Sequence, residues 1–264
     1  MGRFIQTCVI CAVAVLMCSG AGDTKIDPET AVGVWLLDEG SGNTVSDITG
    51  NGNDGEFVGE PKWIDGVFGK ALHFDGKDDM VPVGQNEVLR VSEGTMMNWI
   101  NTQTANDIGL SSMTIPYDDG PAWDAPWRSL GLGTWQGQLR YWIAINDQNQ
   151  EIQPGNIEAD RWYHETITFD GETRKAYLDG ELVQAVDGPG EITYGKPTPT
   201  AVIGSASIAV PRELFNGYVD EIAIFNVALS EEDINDIIDN GLNDILAVNP
   251  KGKVTTTWAD IKSD

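Results

Sequence analysis

The sequence predicts an all-β fold of sandwich or barrel type, and three observations carry that expectation. Short apolar runs recur along the chain, separated by Gly, Asn and Asp turns, the pattern of many short strands. No helical periodicity intervenes between them, which argues against alternating strands and helices. One run, Gly217 to Phe225, alternates as a strand yet carries acidic residues at Asp220 and Glu221. Strict alternation puts Tyr218, Asp220, Ile222 and Ile224 on one face and Val219, Glu221, Ala223 and Phe225 on the other. Whichever face is the core holds a carboxylate, which must be hydrogen-bonded, paired or metal-bound, because burying it bare is too costly.

In chain order, the predicted strands begin with Ala31 to Leu37, Lys70 to Phe74, Met80 to Val83 and Met96 to Ile100. Leu130 to Thr134, Leu139 to Ile145 and Trp162 to Phe169 continue the series. Lys175 to Leu178 meets Asp179-Gly180 and then Glu181 to Val183, a strong two-residue hairpin signal. Ala201 to Gly204 and Tyr218 to Phe225 complete it. One helix is predicted. Ser230 stands as N-cap before three acids, Leu229, Ile234, Ile237 and Ile238 form an apolar stripe, and Gly241 is placed to end it. Leu37, Trp99, Ile167, Ile203, Ile222 and Ile224 are expected in one core.

The chain has 264 residues, 16 basic and 41 acidic, for a net charge of −25. Such a surface repels nucleic acid and anionic membranes. Arg3, an apolar run from Cys8 to Met17 and the small residues before Gly22 describe a cleaved signal peptide over residues 1–21. The run is too short to span a bilayer. Export to a secreted, periplasmic or cell-surface location is therefore expected, with lipidation at Cys18 as the rival reading. All three cysteines lie in this segment, so the mature chain has no disulfide to rely on. The remaining divisions are a lead over 22–30, one domain over 31–245 and a tail over 246–264 that Trp258 could dock.

Three separated pieces resemble the laminin G-like domains of the concanavalin A-like lectin/glucanase superfamily in their bacterial form. They are Trp35 to Gly42 with Asp47 and Gly50 to Gly55; Gly69 to Gly76 with Asp78-Asp79; and Trp162 to Gly171, Tyr177 to Gly180 and Phe215 to Ser230. The resemblance implies a two-sheet antiparallel jelly-roll sandwich with one short helix near the C-terminus. It also implies a binding module, many relatives carrying Ca²⁺ at the sandwich edge. The position matching the family's metal-binding Asp is Asp220, with Asp38, Glu39 and Asp47 as N-terminal partners. The competing reading is that Asp47 caps the Gly50–Gly55 turn and Asp220 accepts backbone N–H groups. Glu165 departs from the family, which usually has an aliphatic residue there.

For a sugar ligand, Trp123 and Trp127 share a loop with Tyr117, Asp118 and Asp119. Aromatic plates beside carboxylates suit a ring with an apolar face and a hydroxyl rim. Parity in the 139–145 strand turns Arg140 and Trp142 away from Leu139, Tyr141, Ile143 and Ile145. Packing is the competing role for each Trp. Catalysis is not expected: the Glu-x-Asp-x-Glu strand of jelly-roll glucanases is absent, Glu158-Ala159-Asp160 stops short, and no nucleophile elbow or phosphate loop occurs. The expected function is a secreted, non-catalytic module recognising carbohydrate or a glycosylated surface, with Ca²⁺ as its cofactor. The alternatives are a protein-adhesion or envelope domain and, third, a glycan-cleaving enzyme.

Overall fold

The structure, a computed structural model, describes residues 26–84, 86–104, 110–116, 128–195, 201–207 and 213–247. The expected signal peptide, most of the lead and Trp258 lie outside these residues. The strands are β1 (Ala31–Trp35), β2 (Thr44–Val45), β3 (Gly55–Glu56), β4 (Lys62–Asp65), β5 (Lys70–Asp75) and β6 (Val81–Val83). They continue as β7 (Gly94–Thr102), β8 (Leu110–Pro116), β9 (Arg128–Trp135), β10 (Gln138–Ile145) and β11 (Gln148–Asn156). The last are β12 (Trp162–Phe169), β13 (Thr173–Leu178), β14 (Glu181–Asp187), β15 (Ala201–Ile203) and β16 (Asn216–Phe225). Two helices follow, α1 (Glu231–Asn240) and α2 (Leu242–Ala247). The second was not expected, and it carries the folded chain past the predicted domain end at residue 245.

The strands form two antiparallel sheets. One runs β14-β13-β12-β7-β16-β5-β4, with β1 also paired to β16; the other runs β11-β10-β9-β8-β15-β6-β3-β2. Their facing sides share one core that includes Leu72, Phe74, Met96, Ile100, Leu132, Tyr141, Ile143, Ile167 and Ile203. Five of the six expected core residues lie in it: Leu37, Ile167, Ile203, Ile222 and Ile224. Trp99 does not. Met96, Asn98 and Ile100 take the inward positions of β7, so Trp99 projects from the outer face, edge-on to His164 at 5.1 Å and near Phe68 at 6.5 Å.

The parity expected for β16 fails at one residue. Asp220 pairs with Trp99, but the next register pair joins Ala223 to Met97, so one extra residue is accommodated. Glu221 takes a left-handed backbone with φ of 42°. Such a bulge reverses which residues face inward. Val219 before it and Ile222 and Ile224 after it all enter the inter-sheet core. Asp220 therefore does not share a face with Ile222 and Ile224. The bulge also marks a change of neighbour: β5 pairs with β16 up to Val219, and β1 takes over from Ile222.

Beyond the bulge, Ala223 and Phe225 join Val34, Met97 and Tyr177 in a second cluster under Ile234, Ile237, Leu242 and Ile245. Helix α1 starts as its sequence demands. Ser230 Oγ accepts from Asp233 N–H at 3.1 Å, and Asp233 Oδ2 accepts from Ser230 N–H at 3.2 Å. Gly241 ends it, its N–H bonded to Ile237 O at 2.8 Å.

The family departure at Glu165 places a carboxyl inside the sandwich. Glu165 and Asn98 are wholly buried, and Glu165 Oε1 accepts from Ser112 Oγ at 2.5 Å and Asn98 Nδ2 at 3.1 Å. Among the described residues Glu165 Oε2 has no partner. Burial pushes its pKa up to about 8, outweighing the two hydrogen bonds. On the opposite face of β12, burial lowers His164 to about 3 and keeps it neutral.

Two outcomes follow. Ile224→Ala should cost about 2–5 kcal/mol, read as a lower denaturation midpoint; a loss within experimental error would contradict its place in the core. Glu165 ionises near 4.5 when unfolded but near 8 when folded. Its stabilising share is complete below pH 4.5 and is lost as pH rises through about 8. Glu165→Gln should flatten that decline in a series of melts, and an unchanged slope would refute the assignment.

Candidate functional site

The edge strands β11 and β14, one from each sheet, come together at one side of the sandwich, and a cleft of about 490 Å³ opens beside them. Its walls are Asn156 at the end of β11, Ile157, Glu158 and Arg161 on the following loop, and Tyr163 of β12. Leu178, Asp179, Glu181 and Val183 of the β13–β14 hairpin complete it.

The local sequence holds these groups in place. Asp179-Gly180 makes the predicted two-residue turn, with φ of 50° and 82°, and Leu178 pairs with Glu181 across it. Asp179 Oδ1 accepts from His164 N–H at 2.9 Å, so the carboxylate is fixed before any ligand arrives. Its Oδ2 receives Arg161 Nη2 at 2.8 Å, and the guanidinium lies 4.4 Å above the Tyr163 ring. Tyr163 Oη accepts from Glu158 N–H at 3.0 Å, and Ile157 N–H donates to Gly137 O at 2.9 Å. The site thus combines carboxylates and a guanidinium on its rim with Leu178 and Val183 as apolar surface. That combination can hydrogen-bond hydroxyls while covering a C–H face.

Sequence reasoning did not single out this cleft. Asp179-Gly180 was read as a turn and Tyr163 as part of a strand, and only the meeting of two sheet edges joins them. Of the residues expected to bind sugar, Tyr117, Asp119, Trp123 and Trp127 lie outside the described residues. Arg140 and Trp142 project from the outer face of β10, as parity predicts. Trp142 keeps only 4% of its surface, so its ring is no open platform. Arg140 is engaged by Glu151 in an ion pair and lies 5.6 Å above the Trp135 ring.

The four expected metal ligands serve the backbone, Glu39 Oε1 accepting from Ser46 N–H at 2.8 Å. Asp47 Oδ1 accepts from Val34 N–H, Thr49 N–H and Thr49 Oγ1, and its Oδ2 from the backbone and side chain of Asn53. Asp38 Oδ1 accepts from Lys70 N–H at 2.6 Å. Asp220 Oδ2 accepts from Val67 and Phe68 N–H at 2.8 and 3.1 Å, and its Oδ1 from Glu221 N–H at 2.8 Å. Gly66 is needed beside it, since a Cβ there would sit 2.4 Å from Asp220 Oδ2. Next along the chain, Glu221 Oε2 accepts from Leu242 N–H at 2.9 Å. Burial raises Asp220 to about 7 and Glu221 to about 8, with the charge of Asp38 adding to both.

A Ca²⁺ site needs six to eight converging oxygens. Asp38, Asp47 and Asp220 are not among the described carboxylates that bring three oxygens mutually close, although the charge of Asp38 reaches Asp220. Among the described residues, the three carboxylates with mutually close oxygens are Asp75, Asp78 and Asp79. Asp79 already caps Glu60 and Asp75 N–H groups, and Asp75 is paired with Lys77.

Two antiparallel sheets packed face to face, with an open polar cleft at one edge, define a jelly-roll sandwich. The chain belongs to the concanavalin A-like lectin/glucanases superfamily, its laminin G-like family matching residues 75–235. No curated protein matches the sequence. Among solved structures it is similar to domain 4 of AbnA, a GH43 extracellular arabinanase from Geobacillus stearothermophilus, in complex with arabinotriose. That likeness has 16% identity and a TM-score of 0.61, and covers 79% of this chain and 98% of the other. It is also similar to botulinum neurotoxin type C, whose cell entry depends on two ganglioside molecules (16%, TM-score 0.60, covering 80% and 51%). The binding domain of botulinum neurotoxin DC in complex with rat synaptotagmin II is similar at 16% identity and TM-score 0.60, covering 80% and 52%. The chain spans about half the length of these toxin chains.

If the backbone holds Asp220, EDTA leaves the melting temperature unchanged, while Asp220→Ala strands three N–H groups and costs on the order of 3 kcal/mol. A melting temperature that falls with EDTA in the wild type but not in Asp220→Asn would restore the ion.

Proposed function

We propose that the protein is an exported, non-catalytic module that binds carbohydrate in the cleft beside β11 and β14. The observation that carries this reading is the cleft itself, where fixed polar groups surround apolar side chains. Family membership supports it, as do neighbours of the same fold that hold arabinotriose or depend on gangliosides. Export rests on the basic, apolar, small-residue order of the first 21 residues. Among the described residues no helix is long and apolar enough to cross a membrane.

The non-catalytic part rests on chemistry. Glycoside cleavage needs one carboxyl as acid and a second as base or nucleophile at a set separation. In the cleft, Asp179 is committed to His164 N–H and Arg161. The side chains of the other two carboxylates, Glu158 and Glu181, are exposed and fixed by no hydrogen bond among the described residues, so no pair is held at a set separation. A protein partner is the second reading, favoured by Leu182 and Val183, each nearly half exposed on edge strand β14.

A glycan array followed by calorimetry on the best oligosaccharide tests the proposal. Arg161→Ala should weaken binding by about tenfold, roughly 1.4 kcal/mol, while Arg140→Ala leaves it unchanged and no reducing ends are released. Sensitivity to Arg140→Ala alone would move the site to the outer face of β10. Released reducing ends would make the protein an enzyme.

A further inference from the structure

Resting on that glycan-binding reading, we infer that the cleft is built for a sugar bearing a free amino group. Its wall carries three carboxylates, Glu158, Asp179 and Glu181, against one cation, Arg161. That cation is paired with Asp179 and stacked on Tyr163, and its exposed guanidinium keeps other N–H groups for a ligand hydroxyl. Glu158 and Glu181, both exposed, have side chains with no hydrogen bond or ion pair among the described residues. They are free to accept from a ligand.

An ammonium group answers such a carboxylate with charge-assisted hydrogen bonds, stronger than those from a neutral hydroxyl. The rest of the cleft fits a sugar ring better than a bare cation. Leu178 and Val183 offer apolar surface for ring C–H groups. Tyr163 Oη accepts from Glu158 N–H, which leaves its own hydrogen to donate to a ring oxygen. A uronate, sulfate or sialyl group would meet two unpaired carboxylates and a chain of net charge −25. Concavity focuses that repulsion. Each exposed carboxylate contributes up to about 1 kcal/mol, about fivefold in affinity.

The test is calorimetry of the intact protein with four compounds: chitobiose, its fully deacetylated diamine, digalacturonate and tetralysine. At low ionic strength the diamine should bind at least about tenfold more tightly than chitobiose, and digalacturonate should not bind. High salt should erase most of that preference. Glu158→Gln and Glu181→Gln should each reduce it about fivefold, with unchanged melting temperatures and chitobiose binding kept. Chitobiose bound as tightly as the diamine, or digalacturonate bound, would overturn the inference; if Arg161→Ala abolishes that binding, the glycan function stands. Tetralysine bound as tightly as the diamine would overturn the sugar as ligand. No binding of any saccharide would overturn the inference and the function together.

Discussion

The extra residue at Asp220–Glu221 in β16 is the constraint on which the rest of this sandwich depends. β16 lies beside β7 along its length, with β5 on its other side before the bulge and β1 after it. A straight strand could not serve both neighbours and keep Val219, Ile222 and Ile224 all inward. The bulge does this by turning two consecutive carboxylates out of the inter-sheet core. Each then ties down a separate segment: Asp220 holds the 66–68 turn, and Glu221 holds the start of α2. Burial raises both groups toward neutral pH, so the ties are made by carboxyls whose charge is costly to keep. The fold accepts that cost because the alternative leaves backbone N–H groups unsatisfied under a helix.

Much of this architecture is legible in the chain. Strands with one buried face betray themselves by alternation, which is why β7, β10, β12 and β16 could be placed from sequence. Helix α1 was equally legible, since its cap, acidic first turn and terminal glycine are local signals. The strands that were missed lack that signal. Strands β2 and β3 have two residues each and no period to read. Strand β11, at a sheet edge, buries only Ile152 and Pro154 among polar neighbours. The bulge was illegible for a different reason: an apolar pattern records which residues are buried, not where the backbone slips by one. Trp99 and Asp220, which pair across β7 and β16, were both assigned to the core face and both lie on the outer one.

The candidate site was less legible than the fold, and the reason is geometric. Aromatic residues near acids draw attention because they are rare, yet Trp142 shows that facing outward and being open to solvent are different properties. The cleft consists of ordinary residues: a turn aspartate, a loop arginine, a strand tyrosine and two surface glutamates. They lie within 28 positions of one another, from Asn156 to Val183. Nothing in that stretch states that β11 and β14, in different sheets, end at the same side. Only the closure of the sandwich makes a pocket of them.

That closure links protection of a sheet edge to the proposed cleft. A sandwich has free edges, and an exposed edge strand invites pairing with another chain. Here β14 carries Glu181 at its start, Asp187 at its end and a register shift between them. Acidic residues and bulges are ordinary means of discouraging strand addition, and the apolar Leu182 and Val183 give this edge particular need of them. Glu181 also belongs to the cleft, where its unpaired charge shapes the field felt by a ligand. Replacing it with an apolar residue would therefore change two things at once, loosening the block on edge pairing and weakening the selection against anions. If the cleft binds a glycan as proposed, a carboxylate that discourages edge pairing also acts on what enters beside the sheet edges.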